Sequence, residues 1–305
     1  MSDFTIIFNP QAGKGTAHRV LALAEKLLRH RSVPHEIQVT ERAGHATELA
    51  RRAPGPYVVA VGGDGTINEV GNGLVGTGKI LGIIPGGCGN DLIKSLNLPR
   101  RTADAFEVLL RGRKKEIDFG TVRCENPGPG TGGETVTEQR CFFNGVGAGF
   151  DAEVAVRTRE FKHLSGTLLY LAAVFKTLGK YASPEYEVTV DGKTTTARNL
   201  LMAIGNGTCA GGGFYLTPQA RVDDGLLDVC VVSHLSIPRI LRVMPLAMRG
   251  KHGKAKEVTF LRGKKIAIRS SSPFYVHADG EIVGRRTHDL AVQVSEERLP
   301  VLVSA

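Results

Sequence analysis

The chain contains no tryptophan, and aromatic residues make up only 6% of its 305 positions. Readers of single-stranded nucleic acid stack successive bases on aromatic rings, so this scarcity counts against that class. Five cysteines, at positions 88, 124, 141, 209 and 230, are odd in number and scattered, with no CxxC pair. Such spacing argues against a disulfide scaffold or a zinc ribbon and points to a reducing compartment. Long apolar runs are missing as well. The densest, Leu168 to Phe175, is far short of the roughly 20 residues that cross a bilayer. Met1 to Phe8 enters a strand at once and carries no signal-peptide pattern. The expected location is therefore the cytoplasm, with membrane contact confined to the surface.

Glycine and positive charge are plentiful. The chain has 38 glycines, and 39 basic against 30 acidic residues give a net charge of +9. Basic side chains gather at Arg111–Lys115, Arg157–Arg159, Arg249–Lys256, Arg262–Lys265 and Arg285-Arg286. Most such residues simply solvate a surface, but an excess favours anionic partners: nucleotide phosphates, acidic lipid headgroups or nucleic acid. Charge alone does not choose among them. A length of 305 residues accommodates two domains, each with its own core.

The glycines fall at strand ends. Tyr57 to Val61 is an apolar, β-branched run that reads as a buried strand, and Gly62-Gly63-Asp64-Gly65-Thr66-Ile67-Asn68-Glu69 follows it. Ile67, Val70 and Leu74 then share one face of a helix. A strand, a glycine turn and a helix start form a place where backbone N–H groups can approach phosphate. Asp64 is the odd member, because a bare carboxylate repels phosphate. It fits where a divalent cation or a donor stands between, as in a nucleotide–magnesium site. A glycine turn with a solvated Asp is the bland alternative. Thr66 and the Asn68-Glu69 pair, directly after a buried strand, favour the site.

Two further loops match this design. Phe4 to Phe8 leads into Asn9-Pro10-Gln11-Ala12-Gly13 and a helix from about Ala17 to His30. This is neither a Walker A loop nor a Rossmann fingerprint. His35 to Thr40 is a second strand ending at Thr40, a helix spans Ala46 to Arg52, and Ile80 to Ile84 leads into Pro85–Asp91. Strands alternating with helices predict a doubly wound parallel sheet, whose carboxyl edge gathers these loops.

Beyond a helix at Thr102–Arg111 and a strand at Lys115–Cys124, the pattern turns to β. Residues 125–134 read as a flexible Gly/Pro tip, and Phe142 to Asp151 ends a strand in a glycine cluster. A helix is expected at Leu164–Lys180 and a hairpin at 185–190 and 194–204 about Asp191-Gly192. Further strands are expected at 226–232, 257–261, 264–269, 274–277 and 290–294, with a helix at 237–248. The fold class is thus α/β: an N-terminal doubly wound parallel domain (1–122) and a C-terminal antiparallel β-sandwich (123–294). Residues 295–305 are a candidate return strand completing the first. Two acidic stretches, Arg221–Asp228 and His277-Ala278-Asp279-Gly280-Glu281, read from their residues alone as ordinary turns.

Gly62 to Glu69 resembles the signature of the diacylglycerol kinase catalytic-domain family, which includes sphingosine and ceramide kinases and small bacterial lipid kinases. Pro85–Asp91 is similar to that family's P-x-G-T-x-N-D motif, with Cys88 where Thr is usual. The resemblance runs through nearly the whole chain, with three motifs in the first domain and two in the second. It implies an ATP-dependent lipid kinase. Asn9, Pro10, Gln11, Ala12, Gly13, Thr40, Gly63, Asp64, Gly65, Thr66, Ile67, Asn68, Glu69 and the loop carrying Cys88 would hold the nucleotide. Asp64 would act on or near the catalytic Mg²⁺. Asp224, with the backbone carbonyls of Arg221 and Leu226, matches a structural Mg²⁺ site. Asp279 and Glu281, reaching across from the second domain, would take the proton of the acceptor hydroxyl. The partners implied are a lipid alcohol and an anionic membrane surface, with no nucleic acid and with a homodimer open. NAD kinase is the rival enzyme, and a catalytically silent nucleotide-binding sensor at membranes is the rival from another class.

Overall fold

The computed structural model describes residues 3–128, 135–158, 160–161, 163–164, 166–179 and 181–305. The glycine-rich part of the expected tip, 129–134, lies outside the described residues, as do Arg159 and the helix end expected at Lys180. The chain divides into two units: Met1–Phe119 with Glu296–Ala305, and Gly120–Ser295.

In the first unit, β1 (Phe4–Phe8), α1 (Thr16–His30), β2 (His35–Val39), α2 (His45–Arg52), β3 (Tyr57–Gly62), α3 (Asp64–Leu74) and β4 (Ile80–Pro85) alternate. Short α4 (Asp91–Ser95) and α5 (Thr102–Arg111) follow. The strands are parallel in the order β2-β1-β3-β4, with Ile6 level with both Ile37 and Val59. Residues of β1, β3 and β4 are buried almost throughout, as unbroken apolar runs require when both faces of a sheet are covered. β2, with the polar sequence HEIQV, is half-exposed at the edge. Ala17, Ala24 and Leu28 of α1 and Phe106 and Leu109 of α5 join Val59, Val61 and Ile84 in one core.

The second unit contains β5 (Arg113–Pro127, entered from the first unit), β6 (Thr135–Phe142), β7 (Gly145–Gly149), α6 (Phe150–Thr158) and α7 (Gly166–Leu178). Next come β8 (Glu185–Val190), β9 (Lys193–Gly205), β10 (Leu227–Ser233), α8 (Ile237–Ala247), β11 (Val258–Gly263), β12 (Lys265–Ala278) and β13 (Glu281–Val303). Its strands run antiparallel in the order β11-β10-β9-β7-β12-β13, with β8 bonded to β9 and β12 and a β5–β6 hairpin. One core gathers Phe142, Tyr186, Met202, Leu227, Ile268 and Val276. A second lies against the helices, from Phe150 and Val174 to Phe214 and Ile240.

Three differences from the sequence reading have physical causes. The strands expected at 264–269 and 274–277 are one strand, β12, whose register slips between Arg269 and Phe274 across Ser270-Ser271-Ser272-Pro273. The segments expected at 290–294 and 300–303 belong to the single β13, and its end re-enters the first unit to place Val301 level with Leu81 of β4. Helix α6 was not expected, because its start is screened by the glycine cluster before Phe150. No described helix is long and apolar enough to cross a membrane.

Candidate active site

Three glycine loops meet at the carboxyl ends of β1, β3 and β4. A Cβ on Gly13 would stand 2.1 Å from the Gly86 carbonyl oxygen, and one on Gly87 would stand 2.4 Å from the Gly63 Cα. Gly86 N–H donates to the Gly62 carbonyl at 2.7 Å. These glycines therefore let backbone pack on backbone, and Gly13 also adopts a left-handed φ of 59°. A side chain at Gly13 or Gly87 would push these loops apart.

Asp64 ties two of these loops together. Its Oδ2 accepts the N–H of Asn90 and its Oδ1 the N–H of Asp91, both at 2.7 Å. The carboxylate thus caps the start of α4, where a negative charge is favoured by exposed N–H groups. Asn9 performs a similar service between β1 and β3. Its Nδ2 donates to Thr66 Oγ at 3.0 Å, its Oδ1 accepts from Gln11 N–H at 2.9 Å, and its carbonyl accepts from Ala12 N–H. Pro10 sits inside that turn, and Gly65, Thr66 and Ile67 form the first turn of α3, with Ile67 N–H on the Gly63 carbonyl. Thr40 N–H donates to the Phe8 carbonyl, which brings the end of β2 to the same edge. Cys88 is exposed on the third loop. Asn90, at φ 55°, keeps a buried side-chain oxygen with no hydrogen-bond partner beside Gly87, a feature suited to a ligand's donor.

Glu69 joins α3 to the segment that follows Thr40. Glu69 Oε1 accepts Gly44 N–H at 2.9 Å and Oε2 accepts Ala46 N–H at 3.2 Å, so its carboxylate organises the start of α2. Asn68 is buried in α3 and accepts from Asn72 Nδ2.

The second acidic constellation lies in the other unit. Asp279 and Gly280 form the two-residue turn between β12 and β13, with φ of 49° and 86°. Asp279 Oδ2 accepts Phe143 N–H at 2.8 Å, while Oδ1 accepts the N–H groups of Asn144 and Gly145 at 3.0 and 2.8 Å. Asp279 N–H returns a bond to the Gly145 carbonyl at 2.8 Å. A carboxylate committed to three amides holds a corner in place. Half-buried Glu281, the first residue of β13, follows on the exit side of the corner. Around it, Asn144 Nδ2 donates to the Cys209 carbonyl, and the Asn206 and Gly207 amides donate to the Asn144 carbonyl.

The segment Arg221–Asp228 is arranged otherwise. Asp224 Oδ1 accepts Leu226 N–H at 3.2 Å, and Oδ2 pairs with the Arg262 guanidinium, whose Nε reaches Asp228 Oδ2 at 3.2 Å. Burial pushes the Asp228 carboxyl up, and the nearby Arg262 charge works against it. The guanidinium supplies the Asp224 carboxylate with a counter-charge from within the chain, and no cluster of three His, Cys, Asp or Glu capable of holding a metal occurs among the described residues.

Sequence reasoning missed the amides of 90–91 and 143–145, Arg262, and Asp151 behind the Asp279 corner. The available signals were Asn144-Gly145 and Asn206-Gly207, two Asn-Gly pairs at strand ends.

Comparison with known proteins gives a consistent picture. Residues 3–122 match the family model described as the diacylglycerol kinase catalytic domain, and 144–303 match the YegS C-terminal NAD kinase beta sandwich-like domain. A diacylglycerol kinase of Staphylococcus epidermidis is 30% identical over 286 residues, covering 92% of this chain and 86% of its own length. One of Staphylococcus aureus is 29% identical with the same coverage. Among solved structures, a diacylglycerol kinase from Bacillus anthracis superposes with a TM-score of 0.69 at 20% identity, over 99% of this chain and 97% of that one. An NAD kinase from Archaeoglobus fulgidus in complex with ATP superposes at 0.53 and 12% identity, over 98% and 93%.

Proposed function

Because the chain belongs to the diacylglycerol kinase family and is a lipid kinase, we propose that it transfers the γ-phosphoryl group of Mg·ATP to the hydroxyl of a diacylglycerol-like lipid. The observation that carries the nucleotide half is the meeting of the 9–13, 62–66 and 86–91 loops, tied by Asp64 and Asn9. These loops lie at the sheet edge where such folds bind phosphates. In this reading Thr40 and the loop carrying Cys88 also serve the nucleotide, and Asn90 offers it an acceptor. Mg²⁺, arriving with the nucleotide near Asp64, would neutralise charge on the phosphates.

Glu281 is the proton acceptor in this reading. Asp279 spends its oxygens on three amides, so its contribution is to fix the turn from which Glu281 projects. In the reaction the Glu281 carboxylate takes the acceptor's hydroxyl proton, and that oxygen attacks the γ-phosphorus. The bond from γ-phosphorus to the bridging oxygen breaks, and ADP leaves with the electron pair. Such a transfer asks mostly for positioning and charge neutralisation. No step passes through a cation at Asp224.

The test is ADP release from Mg·ATP with diacylglycerol in mixed micelles, beside NAD⁺ and no-acceptor controls. Diacylglycerol-dependent release is expected. Release with NAD⁺ alone would move the chain to the NAD kinase reading, which the ATP-bound Archaeoglobus neighbour keeps in view. ATP binding with no acceptor-dependent release would favour the sensor. The basic clusters suit peripheral contact with anionic membranes, which flotation with phosphatidylglycerol vesicles tests through its loss at high salt.

A further inference from the structure

Behind the 279–281 corner lies a buried polar set to which the reaction just described gives no role. Asp151, 3% exposed at the start of α6, accepts a bond from His277 Nε2 at 3.0 Å and another from the Tyr170 hydroxyl of α7. His277, 7% exposed in β12, accepts Gly280 N–H on Nδ1 at 3.4 Å. An amide only donates, so Nδ1 carries no proton and Nε2–H is the donor to Asp151. Space for the pair is made by Gly147, where a Cβ would stand 2.2 Å from Asp151 Oδ2 and 2.3 Å from His277 Nε2. Gly211, at φ 59°, likewise makes room for the Tyr170 ring. Burial alone would push the Asp151 carboxyl up, but its contacts with His277 and Tyr170 hold it below its ordinary value.

The same unit contains an internal control. The Asp191-Gly192 turn between β8 and β9 has φ values of 45° and 82°, and its carboxylate accepts the amides of Lys264 and Lys265. Its N–H donates to the Lys265 carbonyl, as that of Asp279 does to Gly145. Two residues before that Asp stands Thr189, whose hydroxyl meets Thr194 in an exposed position. A two-residue Asp-Gly turn thus closes without any buried set behind it.

We infer that Asp151, His277 and Tyr170 are positioning residues for phosphoryl transfer, a chain Tyr170–Asp151–His277–Gly280 that fixes the turn presenting Glu281. The inference rests on the reading of Glu281 as the proton acceptor. Burying a carboxylate costs free energy unless its bonds are complete, so the set holds one arrangement firmly. Its rigidity acts on the segment where a displacement of about 1 Å can cost on the order of a hundredfold in rate.

The test compares His277→Ala, His277→Gln, Asp151→Asn and Tyr170→Phe with wild type and Glu281→Gln in the ADP-release assay with diacylglycerol micelles. Amide hydrogen exchange across 278–283 is followed in the same proteins. His277→Ala is expected to lower kcat by about ten- to a hundredfold, with KM for ATP unchanged and faster exchange at Gly280. Gln, which can accept from Gly280 and donate to Asp151, should recover most of both. Asp151→Asn and Tyr170→Phe should show smaller losses of the same kind, and they decide the matter if His277→Ala does not fold. Unchanged exchange and kcat in His277→Ala would overturn the inference, as would a rise in KM for ATP in place of a fall in kcat. Wild-type kcat in Glu281→Gln would instead sink the catalytic reading, while the exchange data would still decide whether the buried set holds the turn.

Discussion

The Asp191-Gly192 and Asp279-Gly280 turns are built alike and differ in what surrounds them. Both use left-handed φ at two successive residues, both direct the Asp carboxylate onto backbone amides of a neighbouring segment, and both return their own N–H to that segment. Asp191 is exposed and its turn leads to exposed Lys193. Asp279 is half-buried, leads to Glu281 and backs onto His277 and Asp151. The turn itself is therefore a folding device. Chemistry enters with the residue after it and the support behind it.

The sharpest way to break this contrast is to exchange the residue that leaves each turn. Glu281→Gln keeps shape and removes the base, and kcat should fall by about 10²–10⁴-fold. Lys193→Gln should leave kcat unchanged. Steady-state ADP release measures both, and equal activity in the two variants would erase the distinction.

Next in size is the truncation of each turn's carboxylate. Asp279→Ala leaves the Phe143, Asn144 and Gly145 amides without their acceptor in a half-buried place, at a cost of about 1–3 kcal/mol. At Asp191→Ala the Lys264 and Lys265 amides can turn to water, so the loss should be about 1 kcal/mol or less. For a unit of this size about 1 kcal/mol corresponds to roughly 2–4 °C in Tm. Thermal melts should therefore show a clearly larger drop at 279, and equal drops would mean the two sites are equally wet.

The support behind the catalytic turn has a pH signature that the exposed turn lacks. The Asp151 carboxyl is held below its ordinary 3.8 in the folded chain despite burial, facing His277 and Tyr170, with Cys230 as a further titratable neighbour. A depressed carboxyl contributes stability above the unfolded value and loses it as pH falls through the folded value. Denaturant melts of wild type and Asp151→Asn should thus differ most near neutrality and converge below about pH 3.8. Asp191→Asn, replacing a group in water, should show a much flatter difference.

How much of this was legible in the sequence follows from the range of each interaction. The parallel sheet could be read because Tyr57–Val61 and Ile80–Ile84 carry their burial in consecutive residues. The two Asp-Gly turns could be read as turns because their geometry is local. The partners of those carboxylates could not. Asp279 bonds to residues 143–145 and Asp64 to residues 90–91, and nothing in either segment's composition advertises an amide donor. The glycines of the three loops were read as marks of close approach to phosphate, and the backbone they admit most closely is that of one another. His277 looked like an ordinary strand residue because Asp151 lies across the sheet, on a helix that the pattern did not announce.

A third Asp-Gly pair, Asp224-Gly225, sharpens the comparison with the smallest expected effect. Here one carboxylate oxygen takes the Leu226 amide and the other takes the Arg262 guanidinium, which also reaches Asp228. The charge of the turn is thus answered from within the chain, by a donor that stays protonated at any ordinary pH. Chelation of divalent cations with EDTA should then leave the Tm of the nucleotide-free protein unchanged. Arg262→Ala removes the internal counter-charge and leaves two neighbouring carboxylates facing each other. That variant should melt lower, and added Mg²⁺ should restore part of the loss, because an oxygen-lined turn without its guanidinium suits a hard cation. A wild-type Tm that falls in EDTA would mean that a metal, and not Arg262, closes the turn. Of the three pairs, amides alone satisfy the first two, and an amide together with a guanidinium satisfies the third, so the same dipeptide is completed each time by whatever its neighbours supply.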